Sequence, residues 1–524
     1  MNEIILALPV FLPVLSGVVM LFHPWGRKEW DRKRELFIEG LVVLNSLLVA
    51  AAIGGGTDGG RRLVLFRLYS TLTIMFKLDS MGSVFAGLVA FLWPLATLYA
   101  FEYMKHEERK NTFFAFYTMT YGITMGIALA GNLVTLYLFY EMLTLVTLPL
   151  VLFPLTTEAV RAGRSYLYYS IGGAAFAFIG LVFVLGFSSV GTTEFMAGGM
   201  LDLERAMENR NTLLFVYVLA FFGFGVKAAL FPCYRWLPKA AVAPTPVTAL
   251  LHAVAVVKSG AFAILRLTFF SFGTQFLRGT WAQWMVMAAA MATIAFGSTM
   301  AVREVHWKRR LAYSTVSNLS YILFGATLMT PFGLAAALSH LVAHAFMKIC
   351  AFFCAGAVMH QSGKTYIYEL DGLGKKMPVT FGCLLVSSLS LMGVPLFAGF
   401  ISKWNLASAA FDSGSGLGIG GVAVILYSAL MTGIYMMTVI VRAYFPSLAE
   451  KVAAGSGGRD GQNAGIPETA GTDGQDRKNG EAAVTDPGWK MTVPLVIFAA
   501  AILLIGLCPA PLMRLLTMIG GEAG

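Results

Sequence analysis

The sequence predicts an all-α polytopic membrane protein of about fourteen transmembrane helices, and three observations lead there. Of its 524 residues, 57% are hydrophobic and 13% charged, about half the charged fraction of an ordinary soluble domain. Apolar runs recur from Leu6 to Ile519, each about 20 residues long, the length that crosses a hydrocarbon core of roughly 30 Å. They lack the apolar/polar alternation of a membrane β-barrel, so helices are the way to satisfy the backbone in lipid.

The spans fall near 4–22, 37–53, 80–102, 112–131, 133–155, 165–188, 212–235, 244–270, 281–301, 311–329, 331–358, 380–409, 418–444 and 491–513. The first has no basic n-region and no small-residue cleavage site, so it reads as a retained helix. The chain thus divides into residues 1–110 with three spans, 111–270 with spans four to eight, and 281–446 with spans nine to thirteen. A loop at 447–490 and a last helix within 491–524 follow. The loop is rich in Gly, Ala, Asp and Lys and nearly free of aromatics, the composition of a flexible segment, which the charge count places in the cytoplasm.

A net charge of +10 does not signal nucleic acid, because Lys and Arg are sorted by membrane side and form no single patch. Loops after odd-numbered spans hold most of them, among them Arg32, Lys33, Arg34, Lys105, Arg161, Arg235, Lys308 and Arg310. Those after even-numbered spans and the tails hold few, among them Arg62, Lys77, Arg205 and Arg266. The positive-inside rule then puts odd loops in the cytoplasm and both termini outside, in the inner membrane of a bacterial or archaeal cell. Cys233, Cys350, Cys354, Cys383 and Cys508 have no CxxC spacing and read as core residues.

Two spans are interrupted. The seventh passes Gly223, Gly225 and Pro232, the twelfth Gly393, Pro395 and Gly399; such breaks are tolerated where protein or a wet cavity covers the freed backbone. Each has a lysine beside the break, Lys227 or Lys403. The two lie five spans apart, and an odd number of helices per unit inserts successive copies upside down. Spans 4–8 and 9–13 therefore read as two inverted five-helix repeats.

A charge at the centre of a membrane helix costs about 2.5–3.5 kcal/mol on insertion scales, so each one asks for a function. The set is Glu141, Lys227, Lys258, Lys348 and Lys403, joined by His252, His340 and His344. No polar loop lies near Glu141, and its expected partner is Lys227 on the broken seventh span. If the carboxylate moves away, the ammonium loses its stabilisation and can release a proton, which makes the pair a switch. His252 and Lys258 are six residues apart, about 600° of helical rotation, so they point to different sides and serve as successive stations. His340, His344 and Lys348, spaced by four, line one face of the eleventh span, where imidazole can donate and accept near neutral pH. The His340/His344 spacing also suits a metal, but there is no HExxH glutamate and no obvious third ligand nearby. Lys403 would be the exit-side station; the alternative is an interfacial lysine reaching outward. The sequence has no phosphate-binding loop, dinucleotide fingerprint or cysteine cluster, so the driving energy must come from an ion gradient or another subunit.

Five strings carry a family resemblance: Tyr140-Glu-Met-Leu-Thr-Leu145, Phe224-Gly-Val-Lys-Ala228, the run Leu237 to His252 with its Ala-Pro-Thr-Pro, Val256-Val-Lys-Ser-Gly260, and Gly393 to Lys403. They resemble the antiporter-like subunits of respiratory complex I and, equally, the large membrane subunits of Mrp-type sodium/proton antiporters and of membrane-bound hydrogenases. The likeness covers roughly residues 70–445, and the long Ala-Pro-Thr-Pro string leans toward the D-type Mrp subunits and the hydrogenases. It implies fourteen helices with two inverted repeats. It also implies a glutamate modulating a lysine on the broken seventh helix, central basic residues and a terminal charge, which Glu141, Lys227, Lys258, His344, Lys348 and Lys403 fit. The sixth span has no carboxylate, unlike some members, and there is no long lateral helix after the last span.

The resemblance implies a proton-translocating subunit of a redox-driven pump, with no cofactor of its own. Partner membrane subunits would carry iron–sulfur clusters, flavin or nickel–iron. Its rival is a D-type component of an Mrp antiporter that exchanges sodium for protons without a redox partner. A non-conducting scaffold is hard to reconcile with so many costly buried charges.

Overall fold

The computed structural model describes residues 3–22, 31–55, 61–69, 72–189, 193–445 and 484–523. Most of the expected 447–490 loop lies outside the described residues. The chain opens with α1 (Leu8–Phe22) and α2 (Asp31–Gly54), then a hairpin of β1 (Arg62–Tyr69) and β2 (Leu72–Lys77). Next come α3 (Ser80–Tyr103), α4 (Lys110–Ala128), α5 (Leu133–Val151), α6 (Thr157–Gly186), α7 (Leu203–Glu208) and α8 (Arg210–Gly225). Then follow α9 (Trp236–Ala240), α10 (Thr245–Ala253) and α11 (Val256–Leu265), extended by a π-helical stretch Arg266–Phe272. After α12 (Thr274–Leu277) stand α13 (Trp281–Arg303), α14 (Trp307–Thr327), α15 (Pro331–Ser362), α16 (Leu373–Lys376), α17 (Pro378–Met392), α18 (Ala398–Asp412) and α19 (Gly416–Tyr444). The last helices are α20 (Trp489–Leu507) and α21 (Ala510–Ala523).

Among the described residues, nine helical stretches are long and apolar enough to cross a membrane; Leu8–Phe22, Arg210–Gly225 and Pro378–Met392 are apolar but shorter. In two of the nine, Thr245–Phe272 and Pro331–Ser362, the most apolar part is wholly buried, whereas α6, α19 and α20 leave more than half of theirs uncovered. This pair carries five of the eight expected site residues, so burial there needs polar partners. Helix starts follow local chemistry: the side chains of Asn132, Thr156 and Thr330 accept from the N–H groups of Thr135, Ala159 and Gly333. α15 ends at Gly363, whose φ of 70° suits glycine.

Several expectations are corrected. The all-α class misses the hairpin, whose strands pair antiparallel from Arg62↔Lys77 to Tyr69↔Leu72. Its second strand is anchored to the link between α4 and α5, since Lys77 donates to Leu129 O and Gly131 to Met75 O. The eighth span is not continuous: Val254 and Ala255 (ψ −59° and −83°, with φ −128° and −86°) interrupt it between His252 and Lys258. The 600° rotation between these residues assumes an unbroken helix and does not apply. The last span ends at Leu507 because Pro509 follows and disfavours helix before it; α21 then restarts, with Gly520 closed against Pro331 O. Finally, Arg34, Arg266, Lys308 and Arg310 are buried, so they leave the count of loop charges on which the sidedness expectation rests.

The two expected breaks are present. After α8, residues 226–235 leave the helix; Ala229 has φ 56°, and Trp236 Nε1 donates to the freed Val226 O at 2.7 Å. Between α17 and α18, Gly393 (φ 93°) and Leu396 (φ 76°) turn the chain. Gly506 of α20 lies so close to this turn that a Cβ there would stand 2.3 Å from Leu396 O.

Candidate functional site

The first station lies where α5 meets the break after α8. Glu141 Oε1 is 4.0 Å from Lys227 Nζ, with Lys227 fully buried and Glu141 29% exposed at the edge of the bundle. The ammonium also donates to Tyr140 O and sits 3.4 Å from the centroid of the Tyr140 ring. Glu141 Oε1 has no hydrogen-bond partner, so the pair is held by charge across a gap and not by a tight bond. α11 packs directly on the break, since a Cβ on Gly260 would lie 2.7 Å from Ala228 N and 3.0 Å from Lys227 Cβ.

Lys258 Nζ meets His344 Nδ1 on α15. With an ammonium donating, Nδ1 is the acceptor and the His344 proton resides on Nε2. The His344 and His340 rings are nearly parallel, 18° apart in tilt with centroids 5.8 Å apart. His340 Nδ1 lies 2.9 Å from Ser402 Oγ, and Ser402 donates its own proton to Gly399 O. His340 Nδ1–H is therefore the donor, leaving Nε2 with a free lone pair. Both Nε2 atoms are buried without a hydrogen-bond partner. The arrangement has a hydrogen-bonded contact at each end, Lys258 to His344 and His340 to Ser402, with the two rings stacked between them and no hydrogen bond joining them.

Next to Ser402, Lys403 is buried, and Nζ donates to Leu391 O at 2.6 Å and Met392 O at 3.1 Å. It does not reach outward; it closes the carbonyls that the break in α17 frees. Its Nζ stands 5.5 Å from the Tyr321 ring, and that ring 5.0 Å from His340. Lys348, one turn beyond His344, donates to Ser314 Oγ at 2.6 Å and Leu311 O at 3.2 Å, on the side of α14. His252 stands apart from these contacts: its ring is 4.9 Å from Phe352, and neither nitrogen has a hydrogen-bond partner. Among the described residues, no cluster of three or more His, Cys, Asp or Glu could hold a metal.

Other buried charges escape the sequence reading. Arg266, assigned there to a loop, forms a bidentate pair with Asp79 at 2.5 and 2.6 Å and joins the start of α3 to the π-helical stretch. Its position inside the predicted 244–270 span was the available signal. Glu39 Oε2 is buried in α2 without a hydrogen-bond partner, and Lys308 Nζ donates to Ala243 O.

Residues 130–432 match the family described as NADH:quinone oxidoreductase/Mrp antiporter, TM, and residues 69–114 match NADH-ubiquinone oxidoreductase (complex I), chain 5 N-terminus. The N subunit of the NADH-quinone oxidoreductase of Desulforudis audaxviator (strain MP104C) is 31% identical over 451 residues, 84% of this chain and 87% of that one. The A/B subunit of a probable K(+)/H(+) antiporter of Rhizobium meliloti (strain 1021) is 31% identical over 416 residues, 78% of this chain; the match spans 40% of that longer relative. In the membrane-bound sulfane sulfur reductase, described as an archaeal respiratory membrane complex, one chain superposes with a TM-score of 0.80 at 23% identity, covering 99% of this chain and 97% of that one. With its central match running over more than half of its length, the chain belongs to the NADH:quinone oxidoreductase/Mrp antiporter transmembrane family.

Proposed function

We propose that this chain is an antiporter-like proton-translocating subunit of a complex I-like or hydrogenase-type pump, driven by redox chemistry in partner subunits that carry iron–sulfur clusters, flavin or nickel–iron. Protons move along Glu141, Lys227, Lys258, His344, His340 and Lys403, with Lys348 and His252 beside the row. The observation that carries this reading is the buried row of Lys258 against His344, His344 stacked on His340, and His340 against Ser402, inside helices where charge is costly. Glu141 sets the charge of Lys227 from the bundle edge.

The finer architecture goes with it. Alongside the nine long stretches, α1, α4, α8, α14 and α17 with its continuation α18 bring the crossings to fourteen. The equivalent breaks at Lys227 and Lys403 then mark two inverted repeats, with odd loops in the cytoplasm and both termini outside.

The test is proton uptake into vesicles that contain the assembled complex. Lys258→Met should lower it about 100-fold, the scale of a lost proton-transfer group, with subunit composition unchanged; uptake at the wild-type rate removes the pathway. The second reading, a D-type component of an Mrp antiporter exchanging sodium for protons, is favoured by the family match, whose description names the Mrp antiporter. Co-purification separates the two: iron, flavin or nickel subunits mark the redox pump, and small membrane subunits alone mark the antiporter.

A further inference from the structure

Three stretches that lie far apart in the sequence meet at one end of the bundle. α6 starts there, α13 gives way to α14, and α9 packs against both α6 and α14. Together they line a cavity of about 440 Å³, a size at which ligands are bound. Four cations face it, Arg161 from α6, Arg235 and Lys239 from α9 and the residue before it, and Arg309 from α14, against two carboxylates, Glu158 and Glu304. Both carboxylates are already engaged. Glu158 accepts from Arg309, and one Glu304 oxygen accepts from the N–H groups of Val305 and His306 at 3.1 Å each. Among the described residues, Arg161, Arg235 and Lys239 have no carboxylate within ion-pair range.

Scattered surface cations are ordinary where water and salt screen them, but two features set these apart. Arg309 lies in the first turn of α14 and Arg161 just after the first turn of α6, where the helix dipole favours an anion and opposes a cation. The wall beside the cations is aromatic. Tyr234 and Tyr313 line the cavity, and Tyr234 stacks on Phe231 with centroids 6.0 Å apart and packs on Phe296 at 4.6 Å. Phe231 is 40% exposed, and its N–H donates to Thr293 of the apolar α13, so the cavity continues onto an apolar, outward-facing ring. A free anion gains nothing from that ring. A lipid joins a phosphate to an acyl chain and uses both, and tyrosines suit the zone between headgroup and hydrocarbon.

We propose that this cavity binds an anionic phospholipid, its phosphate among Arg161, Arg235, Lys239 and Arg309 and an acyl chain along Phe231 and Phe296. The planar fork of arginine matches phosphate oxygens two at a time, and the lysine adds a point charge. Inorganic phosphate shares the headgroup chemistry and lacks the chain that the exposed ring would cover. The site goes beyond the proton-translocating reading and stands without it.

The experiment is native mass spectrometry of the full chain, purified in neutral detergent and titrated with phosphatidylglycerol. The wild-type chain should hold a phosphatidylglycerol at concentrations where phosphatidylcholine and inorganic phosphate leave it bare. Arg235→Gln combined with Lys239→Gln should weaken that binding about 30-fold, the weight of two cations beside an anionic headgroup. Both side chains are exposed, so the fold should survive their loss. Lys375→Gln combined with Lys376→Gln removes two exposed lysines outside the cavity and should change binding by less than about twofold, since distant exposed charges are screened. An equal loss in that control means diffuse surface charge, and the site is overturned. Phosphatidylcholine binding as tightly, or inorganic phosphate displacing the lipid, overturns it as well. In the assembled complex, loss of a partner subunit from the Arg235→Gln, Lys239→Gln variant with its phosphatidylglycerol content unchanged assigns the cavity to that subunit and overturns the lipid.

Discussion

The two helix breaks look alike in sequence and differ in how their lysines are held. At the first, Lys227 faces a carboxylate 4.0 Å away that is itself 29% exposed. At the second, Lys403 has no carboxylate within ion-pair range among the described residues; it is held by the carbonyls of Leu391 and Met392. A carboxylate at the bundle edge can change its charge or position when a neighbour changes. Carbonyl dipoles at a helix end cannot. The first lysine is thus held by one carbonyl, Tyr140 O, beside a charge that can change, and the second by two carbonyls alone.

The largest effects should follow from deleting the lysines. Lys227→Met and Lys403→Met should each lower proton uptake about 100-fold. Their costs in stability should part: Lys403→Met leaves the buried Leu391 carbonyl and the half-buried Met392 carbonyl without the lysine, at about 1–3 kcal/mol for a buried one, whereas Lys227→Met frees one carbonyl, that of Tyr140, and a partly exposed carboxylate. Thermal unfolding of the purified complex measures this, and a larger loss in Lys227→Met would break the comparison. Next, Glu141→Gln should slow uptake about tenfold, the weight of one close charge, and add nothing in a Lys227→Met background. An additive loss would mean that Glu141 acts elsewhere.

Packing at the breaks gives a smaller effect on stability. A Cβ at Gly399 would stand 1.8 Å from Ser390 O, and one at Gly260 2.7 Å from Ala228 N. Gly399→Ala and Gly260→Ala should each destabilise by about 1–3 kcal/mol through overpacking, with Gly399→Ala the worse. Equal unfolding temperatures would show both breaks to be equally yielding.

How much of this the sequence contains follows from what each feature depends on. The mostly helical, membrane-crossing character, both breaks and the places of the eight ionisable residues in the sequence depend on local composition and are legible. The pairing of Glu141 with Lys227 is legible too, because a lone intramembrane carboxylate must find a cation. The interruption at Val254-Ala255 is not, since neither Gly nor Pro marks it and the close approach of Gly260 to Lys227 becomes visible only in three dimensions. The burial of Arg266 depends on Asp79, 187 residues away, and the cavity shared by Arg161, Arg235, Lys239 and Arg309 depends on the meeting of three separate stretches of chain. The β-hairpin was hidden because β1 and β2 are too short to compete with twenty-residue apolar runs.

The smallest expected effect lies outside the membrane-spanning segments, on the approach to the second break. There Glu369 Oε2 accepts from the N–H groups of Tyr366 at 2.8 Å and Thr365 at 2.9 Å. These two bonds hold its carboxyl below the usual value. A carboxyl so depressed stabilises the loop above its unfolded range, and that contribution is lost as pH falls through the folded value. Hydrogen exchange at the Thr365 and Tyr366 amides should therefore quicken, relative to the intrinsic rate, below about pH 4. Glu369→Gln, whose amide oxygen accepts at either pH, should remove the pH dependence. Since the loop packs on residues 305–307, through Trp307 N to Thr365 O and Ile367 N to Val305 O, the loosening should stay local. If α17 and the Lys403 turn opened along with it, the second break would be a mobile element, and its contrast with the first would fail.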